Sequence, residues 1–129
     1  MTKKATYIAS SDVSTLTDFL AVALRVTKDD GNKKHLRKLQ LKLQRSKVVA
    51  PEQMPKKVVA MNAKVRLRDL DRQEDLTYTL VYPINADLAE NKISVLSPVG
   101  SAIVGQKVGD TIKSELPSGI IRLKIEDVL

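Results

Sequence analysis

The spacing of apolar side chains changes period near residue 50. That change confines the chain to a helical first half and a sheet-forming second half. Val13, Leu16, Leu20, Ala23 and Thr27 step by 3, 4, 3 and 4, with Phe19 and Val22 widening the stripe. This spacing keeps one face of an α-helix apolar. Ser10, Ser11 and Asp12 are candidate N-caps. After a break at Asp30-Gly31-Asn32, Leu36, Leu39 and Leu43 resume the spacing. Two such segments around a tight polar turn predict a short antiparallel coiled-coil hairpin. Its arms of roughly 16 residues would be about 25 Å long at the helical rise.

Beyond residue 60 the period is two. Val65 and Leu67 alternate with Lys64, Arg66 and Arg68, and Ile121, Leu123 and Ile125 alternate with Arg122, Lys124 and Glu126. The segments 76–82, 92–96 and 110–116 supply three more strands, expected to be antiparallel with one covered face. Pro117-Ser118-Gly119 is a turn. Within SPVGSAIVG (97–105), Ser97 can cap a short helix, Pro98 suits its first position and Gly105 its exit, leaving Val99, Ala102 and Ile103 toward the sheet. The fold class is therefore α+β. The two prolines of APEQMPKK (50–57) place the expected boundary between a hairpin, 1–50, and a sheet domain, 51–129.

Composition narrows the chemistry. There is no Cys and one His, which excludes thiolate chemistry, disulfides and His-rich metal sites. His35 stands among Lys33, Lys34 and Arg37, so it reads as a solvated residue with no neighbouring carboxylate to orient it as a base. No glycine pattern of a nucleotide-binding loop occurs, and neither an enzyme nor a small-molecule substrate is expected. Nothing in the sequence calls for a cofactor. With no signal-like or membrane-length apolar run, the expectation is a soluble cytoplasmic protein. There is no Trp and one Phe, so the core must be aliphatic.

Charge divides as the periods do. Residues 1–50 carry 11 basic and 4 acidic side chains, 11 − 4 = +7, and residues 51–129 carry 11 of each. Lys34, Lys38, Lys42 and Arg45 share a face of the second arm, with Lys33, Arg37 and Lys47 nearby. Such a row suits phosphates, an acidic protein surface or plain water. Residues 20–77 offer no aromatic side chain on which bases could stack.

The blocks PEQMPKKVVAMNAKVRLRDL, TYTLVYP and ISVLSPVGSAIVGQKVGD, in that order, resemble the Rnk branch of the Gre family of bacterial transcript-cleavage factors. The resemblance covers roughly residues 48–128. It implies an FKBP-like C-terminal domain beneath an N-terminal coiled coil, and bacterial RNA polymerase as partner. In that family the C-terminal domain grips the rim of the polymerase secondary channel, with the loop entering the short helix taking part. Here that loop is Leu96, Ser97 and Pro98. Two acidic residues at the coiled-coil tip of the cleavage factors help hold a second Mg²⁺ beside the polymerase's own metal. Prolyl isomerase activity is not implied, since one Phe and no Trp cannot line the aromatic pocket it uses.

Asp29 and Asp30 lie at the expected tip. They can form a turn, touch the polymerase or deliver a metal. The resemblance implies much longer arms in the cleavage factors, so arms of about 25 Å favour the turn, because metal–oxygen bonds of about 2.0–2.6 Å leave no tolerance for a carboxylate that falls short. The expected function is polymerase binding without strong transcript cleavage, with a cleavage factor using Asp29 and Asp30, or a nucleic-acid binder using the basic arm, as the alternatives.

Overall fold

The computed structural model describes residues 5–129. In chain order the elements are β1 (Tyr7–Ala9), α1 (Ser10–Val26), α2 (Asp30–Arg45), β2 (Lys47–Val49), β3 (Lys64–Asp69), β4 (Glu74–Val81), β5 (Lys92–Ser94), α3 (Pro98–Ile103), β6 (Thr111–Leu116) and β7 (Gly119–Val128). The α+β class is as expected. Leu16 and Leu20 of α1 meet Leu36 and Leu39 of α2 in the core, with Val13, Ala23 and Leu43 packed at its margin. Val22 is 53% exposed and does not widen the stripe.

Helix boundaries differ from the sequence reading at two ends. The N-cap of α1 is Ala9, with no side-chain cap; Ser10 to Asp12 are already helical. Asp29 is the N-cap of α2, so the turn is Thr27–Asp29 and Asp30-Gly31-Asn32 forms its first helical residues. Asx side chains compete equally well for turn and cap hydrogen bonds, which is why the pattern alone misplaced the break by three residues.

Two short strands were not legible in the sequence. β1 and β2 pair in parallel, Tyr7 with Lys47 through Ala9 with Val49, and clamp the base of the hairpin. They are parallel because the out-and-back helix pair serves as their crossover. Thr6 and Ser46 share a hydroxyl hydrogen bond of 2.6 Å at the same base.

The main sheet has the order β5-β4-β3-β7-β6. The pairs β3–β4, β3–β7 and β6–β7 are antiparallel, with a register shift at Arg66/Leu67. The expectation of an entirely antiparallel sheet is corrected at β5, which runs parallel to β4 through Thr79–Lys92 to Val81–Ser94. The connection across 82–91 folds through two 3₁₀ turns and returns the chain to the same end. Alternation reports which face a side chain occupies and carries no information on strand direction.

A continuous aliphatic core joins the hairpin to the sheet. Leu16, Leu39, Leu67, Leu80, Ile103, Leu123 and Ile125 are all within 2% of full burial. Polar contacts cross the same junction. Tyr82 Oη donates to Asp12 Oδ1 at 2.7 Å, and its ring stacks on Phe19 with centroids 5.6 Å apart. Burial, and then the Asp12 bond, hold the Tyr82 phenol well above its ordinary pKa. Tyr82→Phe keeps the stack and deletes the bond. It is expected to cost about 1.5–3 kcal/mol, the range for a hydrogen bond to a charged group, read from urea unfolding at neutral pH.

Candidate functional site

The loop entering α3 is built by serines. Ser94 Oγ accepts from Leu96 N at 3.0 Å, Ser97 Oγ donates to Ser94 O at 2.7 Å, and the same Ser97 Oγ accepts from Gly100 N at 3.0 Å. Pro98 follows at the first helical position and loses nothing by lacking an N–H. Gly105, at φ +81°, makes the exit, 3.1 Å from its carbonyl to Tyr7 N. Leu96, Ser97 and Pro98 are each partly exposed, so the loop presents side chains to solvent while its backbone is fixed.

That backbone is also braced by the arm. His35 Nε2 lies 2.7 Å from Leu96 O, and because a carbonyl can only accept, Nε2 carries the proton. The reading of His35 as a solvated residue is therefore corrected: it is half-buried and spans the interface. The reason is geometric. His35 stands one turn before the fully buried Leu39, on the face that α2 turns to the domain.

The basic row is likewise not a uniform solvated stripe. Lys34 Nζ lies 3.2 Å from Glu115 Oε2 on β6, both side chains more than half exposed. Such a pair contributes little stability, but it marks where the end of the arm lies. Lys38 faces the gap between α2, α3 and β6, while Arg45 stays exposed at the last turn. Lys42 turns inward. Its Nζ donates to the carbonyls of Ser101, Ala102 and Val104 at 3.1, 2.8 and 2.9 Å, at the C-terminal end of α3. Three acceptors match the three donors of an ammonium, and the negative end of a helix favours that charge. Desolvation pulls the other way and lowers the pKa of Lys42 to about 7, with the charge of Asp110 opposing it.

At the tip, Asp29 Oδ1 accepts from Gly31 N at 2.8 Å and from Asn32 N at 3.4 Å. Its carboxylate is engaged as a cap, while Asp30 is exposed in the first turn of α2. Among the described residues no group of three or more His, Asp or Glu side chains comes together to hold a metal. No helix among them is long and apolar enough to cross a membrane.

Residues 54–129, which include the sheet, the serine loop and α3, match the family described as transcription elongation factor, GreA/GreB, C-terminal. The chain belongs to that family. Among curated relatives, the regulator of nucleoside diphosphate kinase of Escherichia coli K12 is 43% identical over 82 residues, 64% of this chain and 60% of that protein. A transcription elongation factor GreA of Clostridium botulinum is 38% identical over 90 residues, 70% of this chain and 56% of that protein. The chain thus matches a little under two thirds of the length of these curated relatives. A GreA/GreB elongation factor structure from Nitrosomonas europaea superposes with a TM-score of 0.76 at 37% identity, over 98% of both chains. GreA factor homolog 1 of Thermus thermophilus shares the fold at 18% identity, with a TM-score of 0.52 over 98% of this chain and 99% of that one.

Proposed function

We propose that this protein binds bacterial RNA polymerase and regulates elongation without strongly stimulating transcript cleavage. Leu96, Ser97 and Pro98 grip the rim of the secondary channel, and the protein excludes longer-armed Gre factors that use the same rim. The observation that carries this reading is the position of the arm. α2 lies against α3 and the edge strand β6, with Lys34 held at Glu115 and Gly31 beside the same strand. Each arm has only 17 or 16 residues, so about 25 Å of reach. Asp29, already accepting two backbone N–H groups, is poorly placed to ligate a metal supplied by another protein.

The test is RNA cleavage in a backtracked elongation complex driven by a long-armed Gre factor, with this protein titrated in. Cleavage should fall as the protein saturates the complex, and the protein alone should leave the transcript intact. Pro98→Glu should remove the inhibition, weakening apparent affinity tenfold or more, as expected for a central interface contact. Its fold should survive, since a carboxylate is favourable at a helix N-terminus. Inhibition by Pro98→Glu equal to wild type would overturn the docking assignment. Cleavage by the protein alone, lost in an Asp29→Asn/Asp30→Asn variant, would establish the second reading, in which the tip pair acts on Mg²⁺.

A further inference from the structure

The cleft between α2, α3 and β6 encloses about 270 Å³ and is lined by four lysines, Lys34, Lys38, Lys42 and Lys113. The single carboxylate on its wall, Glu115, is paired with Lys34. Among the described residues, Lys38 and Lys113 make no hydrogen bond or ion pair. The cleft is therefore a concave site with surplus positive charge on two facing walls.

A second feature points the same way. Along β6 the inward positions are Ile112 and Ser114, and alternation calls for an apolar side chain at both. Ser114 is only 5% exposed, lines the cleft, and its hydroxyl has no partner among the described residues. A polar group in a buried wall costs stability unless something satisfies it. Among the described residues no fully buried side-chain N or O lacks a partner, so the Ser114 hydroxyl retains contact with solvent, in a residue that lines the cleft.

We propose that this cleft binds a small polyphosphate anion, with Lys38 and Lys113 closing on it from opposite walls and Ser114 donating from the floor. Inorganic pyrophosphate is the simplest member of the class. The volume lies just below the range of about 300–1,000 Å³ typical of drug-sized ligands, so it suits a compact anion. A nucleic-acid strand fits less well. No Phe, Tyr or Trp lines the cleft, and single-strand sites combine charge with aromatic platforms. An anion seated here touches both the arm and the domain, so it would reinforce the same junction that His35 and Lys42 make. The site is independent of the polymerase reading, because it concerns the isolated chain.

The experiment is calorimetric titration of the full chain with inorganic pyrophosphate in a low-salt chloride buffer, with melting followed in parallel. Wild type should bind one equivalent saturably and melt at higher temperature as pyrophosphate is added. Lys38→Gln/Lys113→Gln should weaken binding tenfold or more, and Ser114→Ala about threefold, with unliganded melting close to wild type. Lys64→Gln/Lys92→Gln removes the same charge from exposed positions outside the cleft and should bind as wild type does. Equal weakening in both double variants would reduce the effect to net charge and overturn the proposal, as would absence of saturable binding. Binding of a single-stranded RNA that Lys38→Gln/Lys113→Gln abolishes, with no saturable binding of pyrophosphate, would overturn the proposal and assign the lysines to nucleic acid instead.

Discussion

Alanine at Gly100 is expected to destabilise the protein by about 3 kcal/mol and to dislodge the loop that leads into α3. A Cβ at this position would overlap the carbonyl oxygen of Ser94 and sit 2.9 Å from both Ser94 C and Ser97 Oγ. The obstacle is backbone and a capping hydroxyl, so no flexible side chain can swing aside. Overpacking a buried site ordinarily costs about 1–3 kcal/mol, and a collision with fixed backbone belongs at the upper end. Melting should fall by roughly 10 °C for a domain of this size. Relief requires α3 to move away from Ser94, which breaks the Ser97 bonds to Ser94 O and Gly100 N. The variant should therefore also lose inhibition in the cleavage assay, in proportion to the fraction of distorted loop. A melting temperature within 2 °C of wild type would show that α3 approaches Ser94 less closely than the structure has it.

Gly100 also shows what kind of information the sequence carried. Ser97, Pro98 and Gly105 announced the start and end of α3 because caps depend on local chemistry. Both long helices and all five strands of the main sheet followed from apolar period, since each buries a face on one core. β1 and β2 did not, because neither three-residue segment stands in a longer alternating run, as β5 does in KISVL (92–96). β5 was found but its direction was not, since that depends on the path of the connection. The hairpin tip moved because Asp29 could serve either a turn or a cap.

The candidate site was legible only in part. The cap geometry of the loop Leu96–Pro98 could be read from Ser97 and Pro98, whereas its support by His35 could not. A signal was nevertheless present. His35, Leu39, Lys42 and Ser46 are spaced 4, 3 and 4 along α2. Leu39 is fully buried, so its helical neighbours had to face the domain and bring their polar atoms with them. Reading the stripe from apolar residues alone left these flanking groups with the solvated face. In the structure the three polar members contact Leu96 O, the end of α3 and Thr6. They join the arm to the sheet domain and to the residue before β1.

Lys42 yields the other large expected effect, a rise in stability with pH that Lys42→Met abolishes. Its pKa stands near 7 in the folded protein, lowered from 10.5 by desolvation, and returns to the ordinary lysine value on unfolding. Between these values the unfolded chain binds more protons than the folded one, so unfolding becomes less favourable as pH rises. At about 1.36 kcal/mol per unit, wild type should gain roughly 3–4 kcal/mol relative to Lys42→Met between pH 7 and pH 10. Below pH 7 both states are charged and the difference should stay level. The subtraction matters, because Asp110 opposes the shift while Lys34, Lys38, Lys113 and His35 surround the same cleft and act on both proteins alike. Methionine preserves the length of the side chain but leaves the carbonyls of Ser101, Ala102 and Val104 without their donor, so the variant should be the less stable of the two near pH 10, where the neutral amine still donates two bonds. Urea unfolding of both proteins at four pH values across this window decides the matter. A level difference throughout would mean that the three carbonyls outweigh desolvation and hold the ammonium at its ordinary pKa. In that case the arm is fastened to α3 by a permanent charge. A rising difference would instead make the hold of the arm on α3 sensitive to pH near neutrality.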